Sequence, residues 1–372
     1  MKLENLNILT EDGFIKGNIS FDESIKSIEK TDKESSLLLI PGFFDIHTHG
    51  GNGYDFNNAS SLEEMQVILD FYASNGVTSV FPTLLTDSDE VTKEKIKMIY
   101  ELSKTNKIIK GIHLEGPFLS EEFKGAQDPR YLQPLSIDKF KEYQECAHGL
   151  VKYITISPEK EGVEEFVKYL VSSGVTVSLG HSGATFDEAT KAIISGARNF
   201  THVMNAMKPI HQHHPSILAA AFYYDECYNE VIVDGIHVHR EMVKFIYKIK
   251  GQDKFIGITD SLMAAGLKDG EYHIGSVPII VKDSDCKLKE SGVRAGSTLT
   301  AIKGYKNSKE FIGINDEIAT KLWSLNAAKL LKLDDRYGSI KVGKKADFII
   351  LDKEYNIKEV YIEGKKVFLE RK

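Results

Sequence analysis

Eight short apolar stretches recur along this chain, and each is followed by residues with helical periodicity. They are GFFDIHTH (42–49), GVTSVFPT (76–83), IIKGIHLEG (108–116), VKYITISP (151–158), GVTVSLGH (174–181), ARNFTH (197–202), EVIVDGIH (230–237) and KFIGITD (254–260). Between the first two, Leu62, Met65, Ile68, Leu69 and Tyr72 recur at spacings of three and four, which predicts a helix with one buried face. Strand then helix, repeated eight times, predicts an α/β fold, a TIM-like (β/α)8 barrel. An open doubly wound sheet is the rival, but no glycine-rich phosphate loop follows the first strand. The first and last 40 residues read instead as short strands with turns at EDG (11–13), Gly343 and Gly364. Residues 1–40 and 335–372 are therefore expected to pair into a small β-sandwich domain, with the barrel at 41–334. Residues 271–292, EYHIGSVPIIVKDSDCKLKESG, read as a β-hairpin inserted after the eighth strand.

Several function classes drop out on composition. A net charge of -7, from 47 basic and 54 acidic residues, gives no nucleic-acid footprint. No apolar run approaches the roughly 20 residues of a membrane span. The opening MKLENLNILTEDG lacks the apolar region of a secretory signal. Cys146, Cys227 and Cys286 are odd in number and far apart, as expected of reduced thiols in a cytoplasmic protein.

The polar residues of the eight strands fall in one register. Barrel active sites lie at the C-terminal ends of the strands. Here strand one ends in His47 and His49, which alternation places on one face. Strand three ends in Glu115, strand five in His181, strand six in His202 and strand eight in Asp260, while strand seven runs into His237. Imidazoles with carboxylates suit zinc, iron, manganese or cobalt. His113, two residues before Glu115, is expected to pack beneath the site rather than ligate.

His-x-His on strand one, single histidines on strands five and six and an aspartate on strand eight resemble the amidohydrolase superfamily. Within it, GIHLEGPF, KGA, LGHSGAT, THVMNAM, VDGIHVH and AGSTLT are similar to the N-acetylglucosamine-6-phosphate deacetylases, and the likeness runs from PGFFDIHTHG to GKKADFIILD. Glu115 stands where many other amidohydrolases use a carboxylated lysine on strand four. The resemblance implies a metal-dependent hydrolase barrel that removes the acetyl group of an amino-sugar phosphate in amino-sugar catabolism. It implies one or two divalent ions, with Glu115, His181 and His202 at the first, and His47 and His49 at a second bridged by Glu115. Such an ion acidifies a water and polarises the amide carbonyl; Asp260 would take the proton and pass it to the departing amine. The family pattern also puts Asn205 and Ala206 near the sugar phosphate and gives His237 a role with the sugar or its phosphate. Ala126, Gln127 and the run Arg294, Ala295, Gly296, Ser297 would line the sugar pocket. A homodimer whose loop after strand six crosses to the neighbouring subunit is implied as well.

Three departures all fall on the substrate side. The family usually carries a phosphate-gripping arginine after NAM; here the stretch is KPIHQHHPS (208–216), with His213 at that position. A histidine supplies neither the permanent charge nor the bidentate fork of arginine. Gln127 replaces a histidine of the family's KGAH, and Arg294 replaces an apolar residue. Lys208, His211, His213 or Arg294 could restore the charge. The alternatives are a shifted substrate, such as N-acetylgalactosamine-6-phosphate or an unphosphorylated N-acetyl sugar, or another amidohydrolase chemistry such as deamination of a cyclic base. A metal-dependent binding protein without catalysis would be expected to lack Asp260.

Overall fold

The computed structural model describes residues 1–275 and 277–370. Its centre is an eight-stranded parallel sheet of β1 (Phe43–Thr48), β2 (Val77–Leu85), β3 (Ile112–Glu115), β4 (Val151–Ile156), β5 (Thr176–Leu179), β6 (Asn199–Phe200), β7 (Tyr228–Ile232) and β8 (Phe255–Ile258). The strands pair in sequence order. Every residue of β1, β3 and β8 is buried, as expected of strands covered on both faces. Between β1 and β8 the barrel closes through contacts other than a regular ladder. The backbone N–H of Asp260 donates to His47 O at 2.9 Å, and Thr259 Oγ1 donates to the Asp45 carboxylate at 2.6 Å.

The helix predicted between the first two strands spans Leu62–Ser74 and buries Met65, Ile68, Leu69 and Tyr72. Ser61 caps it by accepting from the Glu64 N–H. Leu62, the first helical residue, points outward instead.

The two ends of the chain interleave in one seven-stranded sheet. Its strands, in spatial order, are Lys365–Leu369, Ile357–Ile362, Phe348–Leu351, Leu38–Pro41, Lys2–Thr10, Gly13–Phe21 and Ile25–Lys30. One face buries Ile8, Ile19, Phe21, Leu39, Phe348 and Tyr361 against each other. On the opposite face Ile40, Ile349 and Leu351 join the barrel core. Period-two alternation within single strands thus glues the sheet to the barrel. Leu38–Pro41 leads directly into β1, so the terminal sheet fixes where the first strand enters the barrel.

The insertion after β8 corrects the expected single hairpin. It is a three-stranded meander of Gly270–Ile274, Val277–Lys282 and Asp285–Leu288. Asp283 and Ser284 carry the second turn, with φ of 53° and 67°, the left-handed pair of a two-residue hairpin loop. The meander buries Ile274, Ile279, Val281 and Cys286 against Leu262 and Ala295. That packing holds it over the mouth of the barrel.

Candidate active site

The chain bends sharply where the strands end. His181, His202 and Asp260 sit at φ of 48°, 28° and 48°, in the left-handed region that residues with a Cβ rarely adopt. Backbone strain of this kind persists only where the surroundings enforce it, and it gathers at functional sites. Its result here is that side chains from β1, β3, β5, β6 and β8 converge on one point. His181 Nε2 and His202 Nε2 each lie 3.0 Å from Glu115 Oε1, and 3.0 Å from each other. His47 Nε2 is 3.3 Å from the same oxygen, and His49 Nε2 is 3.4 Å from Glu115 Oε2. Asp260 Oδ1 completes the cluster at 3.1 Å from His49 Nε2 and 3.6 Å from His47 Nε2.

The partners of the ring nitrogens test whether a metal fits. His47 Nδ1 donates to Glu230 Oε2 at 3.0 Å, His49 Nδ1 to Thr83 O at 3.3 Å and His181 Nδ1 to Phe123 O at 3.0 Å. With the proton on Nδ1, each ring aims the lone pair of Nε2 into the cluster. His47 Nε2 is buried and lacks a hydrogen-bond partner among the described residues. Lone pairs and carboxylate oxygens pressed together without protons repel, and a divalent cation removes that conflict. Two overlapping sets, His47–Glu115–His202 and His47–His49–Asp260, each hold their ligand atoms within 4.8 Å of one another. The donors are nitrogen and oxygen, the set that suits borderline divalent metals.

The electrostatics make the same demand for positive charge beside the two carboxylates. Burial opposes charge on Glu115, yet His47 and His181 beside it hold its carboxyl well below the usual range. Asp260 is lowered in the same way: burial opposes the charge and His47 and His49 outweigh it. Burial also opposes charge on His47, but Glu115 and Asp260 raise it well above an ordinary histidine. Without a metal the carboxylates draw a proton onto this ring; a divalent cation bound there would displace it and leave the Nε2 lone pair free to ligate. His113, fully buried, is pushed well below the ordinary value by burial and by His47. Its Nε2 meets Thr155 Oγ1 at 2.9 Å and its Nδ1 meets Thr83 Oγ1 at 3.2 Å. It packs under the site, as its position in the strand predicts.

Two carboxylates behind the cluster escape a reading of the sequence. Glu230, wholly buried in β7, accepts from His47 Nδ1, from the His202 N–H at 3.3 Å and from Asn199 Nδ2 at 3.0 Å, and also holds the Tyr153 hydroxyl. Asp234 accepts from His237 Nδ1 at 2.6 Å; burial opposes charge on His237, but this bond raises it. The Asp-x-x-His spacing of VDGIH carried a signal for Asp234. Nothing local marks Glu230, whose partners lie far away in the sequence.

A cavity of about 550 Å³ opens above the cluster. Its wall includes His49, Glu115, His181, His202 and Asp260, together with Ala126, Gln127, Asn205, Ala206, His237, Arg294, Ala295 and Gly296. Ile274 and Leu288 of the meander form part of one side. Among the described residues, three expectations find no direct place at this wall. His47 lies beneath it, within the cluster. Ser297 is turned away, its hydroxyl donating to Thr259 O and its N–H to Asp260 O, so it shapes the Asp260 loop instead. His213 is exposed on the loop after β6, packed near His211 at 5.7 Å between ring centroids, and does not reach the cavity of its own chain. Arg294 borders the cavity, but its guanidinium is engaged by Asp285 at 2.9 and 3.2 Å.

Comparison with known proteins adds four findings. Residues 38–367 match the Amidohydrolase family. N-acetylglucosamine-6-phosphate deacetylase of Bacillus subtilis (strain 168) is 33% identical over 99% of this chain and 97% of its own. Among solved structures, the N-acetylglucosamine-6-phosphate deacetylase of Thermotoga maritima superposes with a TM-score of 0.92 at 34% identity, covering 100% of both chains. A mutant of the corresponding Mycobacterium smegmatis protein, in complex with N-acetyl-D-glucosamine-6-phosphate, gives 0.92 at 27% identity over 99% of each chain.

Proposed function

The chain belongs to the amidohydrolase family and, within it, to the N-acetylglucosamine-6-phosphate deacetylases; from that premise we propose how its own residues carry out the reaction. It is a hydrolase that converts N-acetylglucosamine-6-phosphate and water to glucosamine-6-phosphate and acetate. The reaction is metal-dependent. Glu115, His181 and His202 would hold one ion, and His47 and His49, together with Glu115, would hold a second. Zinc is the first choice for this donor set, with iron, manganese and cobalt as the alternatives. An ion held there would acidify water and polarise the acetyl carbonyl.

The observation that carries the mechanism is the place of Asp260 on the cavity wall, 3.1 Å from His49 Nε2. Asp260 takes the proton of the attacking water as its oxygen bonds to the acetyl carbon. It then gives that proton to the nitrogen as the C–N bond breaks, releasing acetate and the free amine. His237, fixed by Asp234, faces the sugar, and Ala126 and the Ala295–Gly296 backbone shape its pocket. Asn205 and the Ala206 backbone face the phosphate.

Phosphate charge calls for cations. Lys124 borders the cavity, and among the described residues its ammonium donates to the carbonyls of Gly125 and Gln127, at 3.5 and 3.4 Å. A further contribution would come from a second copy of the chain. Ile194, Tyr223 and Phe245 are 78%, 70% and 43% exposed on three consecutive helices, and Ile210 is 52% exposed on the adjoining loop. An apolar face of this kind is expected to be covered in a homodimer. His213 lies on the same loop, and it is the family resemblance that would have this loop reach the neighbouring subunit's site. The three cysteines are free, which supports a reducing, cytoplasmic setting. Among the described residues, no helix is long and apolar enough to cross a membrane.

The test is acetate release by zinc-reconstituted protein from N-acetylglucosamine-6-phosphate, its galacto epimer and unphosphorylated N-acetylglucosamine. Preference for the first is expected, and Asp260→Asn should lower kcat by about 10²–10⁴-fold. Preference for the epimer would move the specificity. Ammonia in place of acetate would overturn the deacetylase reading.

A further inference from the structure

Gln127 stands in a stretch of the pocket where a sugar contact is expected. Its side chain is spoken for in another way. The amide is 3% exposed, and both of its ends are engaged. The Thr86 backbone N–H donates to Oε1 at 2.8 Å. Because a backbone N–H can only donate, that bond fixes which end of the amide is oxygen. Nε2 is thereby aimed at the other side, where it donates to Glu115 Oε2 at 2.8 Å. Thr86 Oγ1 also reaches Glu115 O at 3.4 Å, so the end of β2 and the end of β3 are tied at two points.

Glu115 needs such a tether. Its Oε1 faces His181, His202 and His47. Without a donor on Oε2 the carboxylate could turn about its last torsion, and these broad terminal torsions offer little resistance. We propose that Gln127 is a positioning residue: it clamps the Glu115 carboxylate in the plane that presents Oε1 to the three histidines, and so sets metal affinity rather than sugar binding. A neutral amide suits the task, since it donates to the carboxylate without adding a charge next to the ion. Partners of this kind around metal ligands are commonly worth 10–100-fold in metal affinity.

The proposal rests on the metal-site reading above, but its test does not need turnover. Zinc affinity of the whole protein would be measured by competition with a chromophoric chelator, for the natural chain, Gln127→Met and Gln127→Ala. Methionine keeps the length and removes the donor; alanine removes both. Thermal unfolding of the metal-free proteins checks that each variant folds. The expected result is a fall in zinc affinity of about 10–100-fold in both variants, with KM for N-acetylglucosamine-6-phosphate unchanged at saturating zinc. Zinc affinity within twofold of the natural chain in a folded variant would overturn the proposal, and a raised KM beside it would return Gln127 to the sugar. Failure of the deacetylase reading would look different: no acetate from the natural chain, with the zinc affinities still separated.

Discussion

Glu230 shows at the scale of one residue how the site is held from behind. Both of its oxygens accept: Oε2 from His47 Nδ1 and the His202 N–H, Oε1 from Asn199 Nδ2 and the Tyr153 hydroxyl. A glutamine of the same shape can accept at one oxygen only. Its NH2 would face donors, leaving buried groups unpaired at a cost of about 1–3 kcal/mol. Glu230→Gln is therefore expected to lower the stability of the metal-free protein by that amount in urea unfolding. Weaker zinc binding should accompany it, because His47 would no longer be held with its lone pair on Nε2. Unchanged stability would mean that the amide finds other partners. The contrast with the clustered side chains of the site explains what the sequence could tell. His47, His49, Glu115, His181, His202 and Asp260 were legible because each stands at the end of an apolar strand, and a barrel brings strand ends together. Glu230 lies inside β7, 183 residues from His47, and no local pattern encodes that meeting. His213 differs in the other way: its position after NAM was legible, but the loop carrying it is exposed and does not line the cavity of its own chain.

Among elements, β8 fits closely against the helical turn that carries Trp323. A Cβ added at Gly257 would lie 2.4 Å from the Trp323 ring, and one at Gly304 would lie 2.3 Å from it. The indole is wholly buried and donates to Ser308 Oγ at 2.9 Å, so it cannot swing away freely. Gly257→Ala is expected to destabilise by about 1–3 kcal/mol through overpacking. Trp323→Ala removes the ring atoms that the methyl would strike. The double variant should then be less unstable than the two single costs added, by about 0.5–3 kcal/mol in a double-mutant cycle. Additive costs would mean that the ring shifts without penalty. β8 was recognisable from KFIGITD alone, because a short apolar run between helical segments has few other uses. The requirement for glycine within it was not, since it comes from an indole 66 residues onward. The third strand of the meander was missed for a related reason. Asp283 and Ser284 are ordinary loop residues in sequence, and only their left-handed backbone reveals a turn between two strands.

At the scale of the whole molecule, the ends of the chain meet through a few charges as well as through the shared sheet. Glu11, in the turn of the first hairpin, accepts from Ser339 Oγ at 2.7 Å and from Lys341 Nζ at 2.8 Å, and lies 3.2 Å from Lys344 Nζ. Burial alone would raise its carboxyl; Lys341, Ser339 and Lys344 outweigh it and bring it down from 4.5 to about 2. The folded chain therefore releases the Glu11 proton more readily than the unfolded chain does. The stabilisation is complete above pH 4.5 and is lost as the pH falls toward 2. The full displacement converts to roughly 3 kcal/mol. Water reaches 33% of the side chain, so screening leaves about 1 kcal/mol. Glu11→Gln should thus unfold at lower urea than the natural chain at pH 7, and the gap should narrow on going to pH 3. High salt should narrow it too, because the lysines act through exposed charge. A gap that stays constant across pH and salt would assign Glu11 a packing role in the hairpin turn, and would leave the strand pairing of Leu38–Pro41 with Lys2–Thr10 and Phe348–Leu351 as the chief link between the two ends.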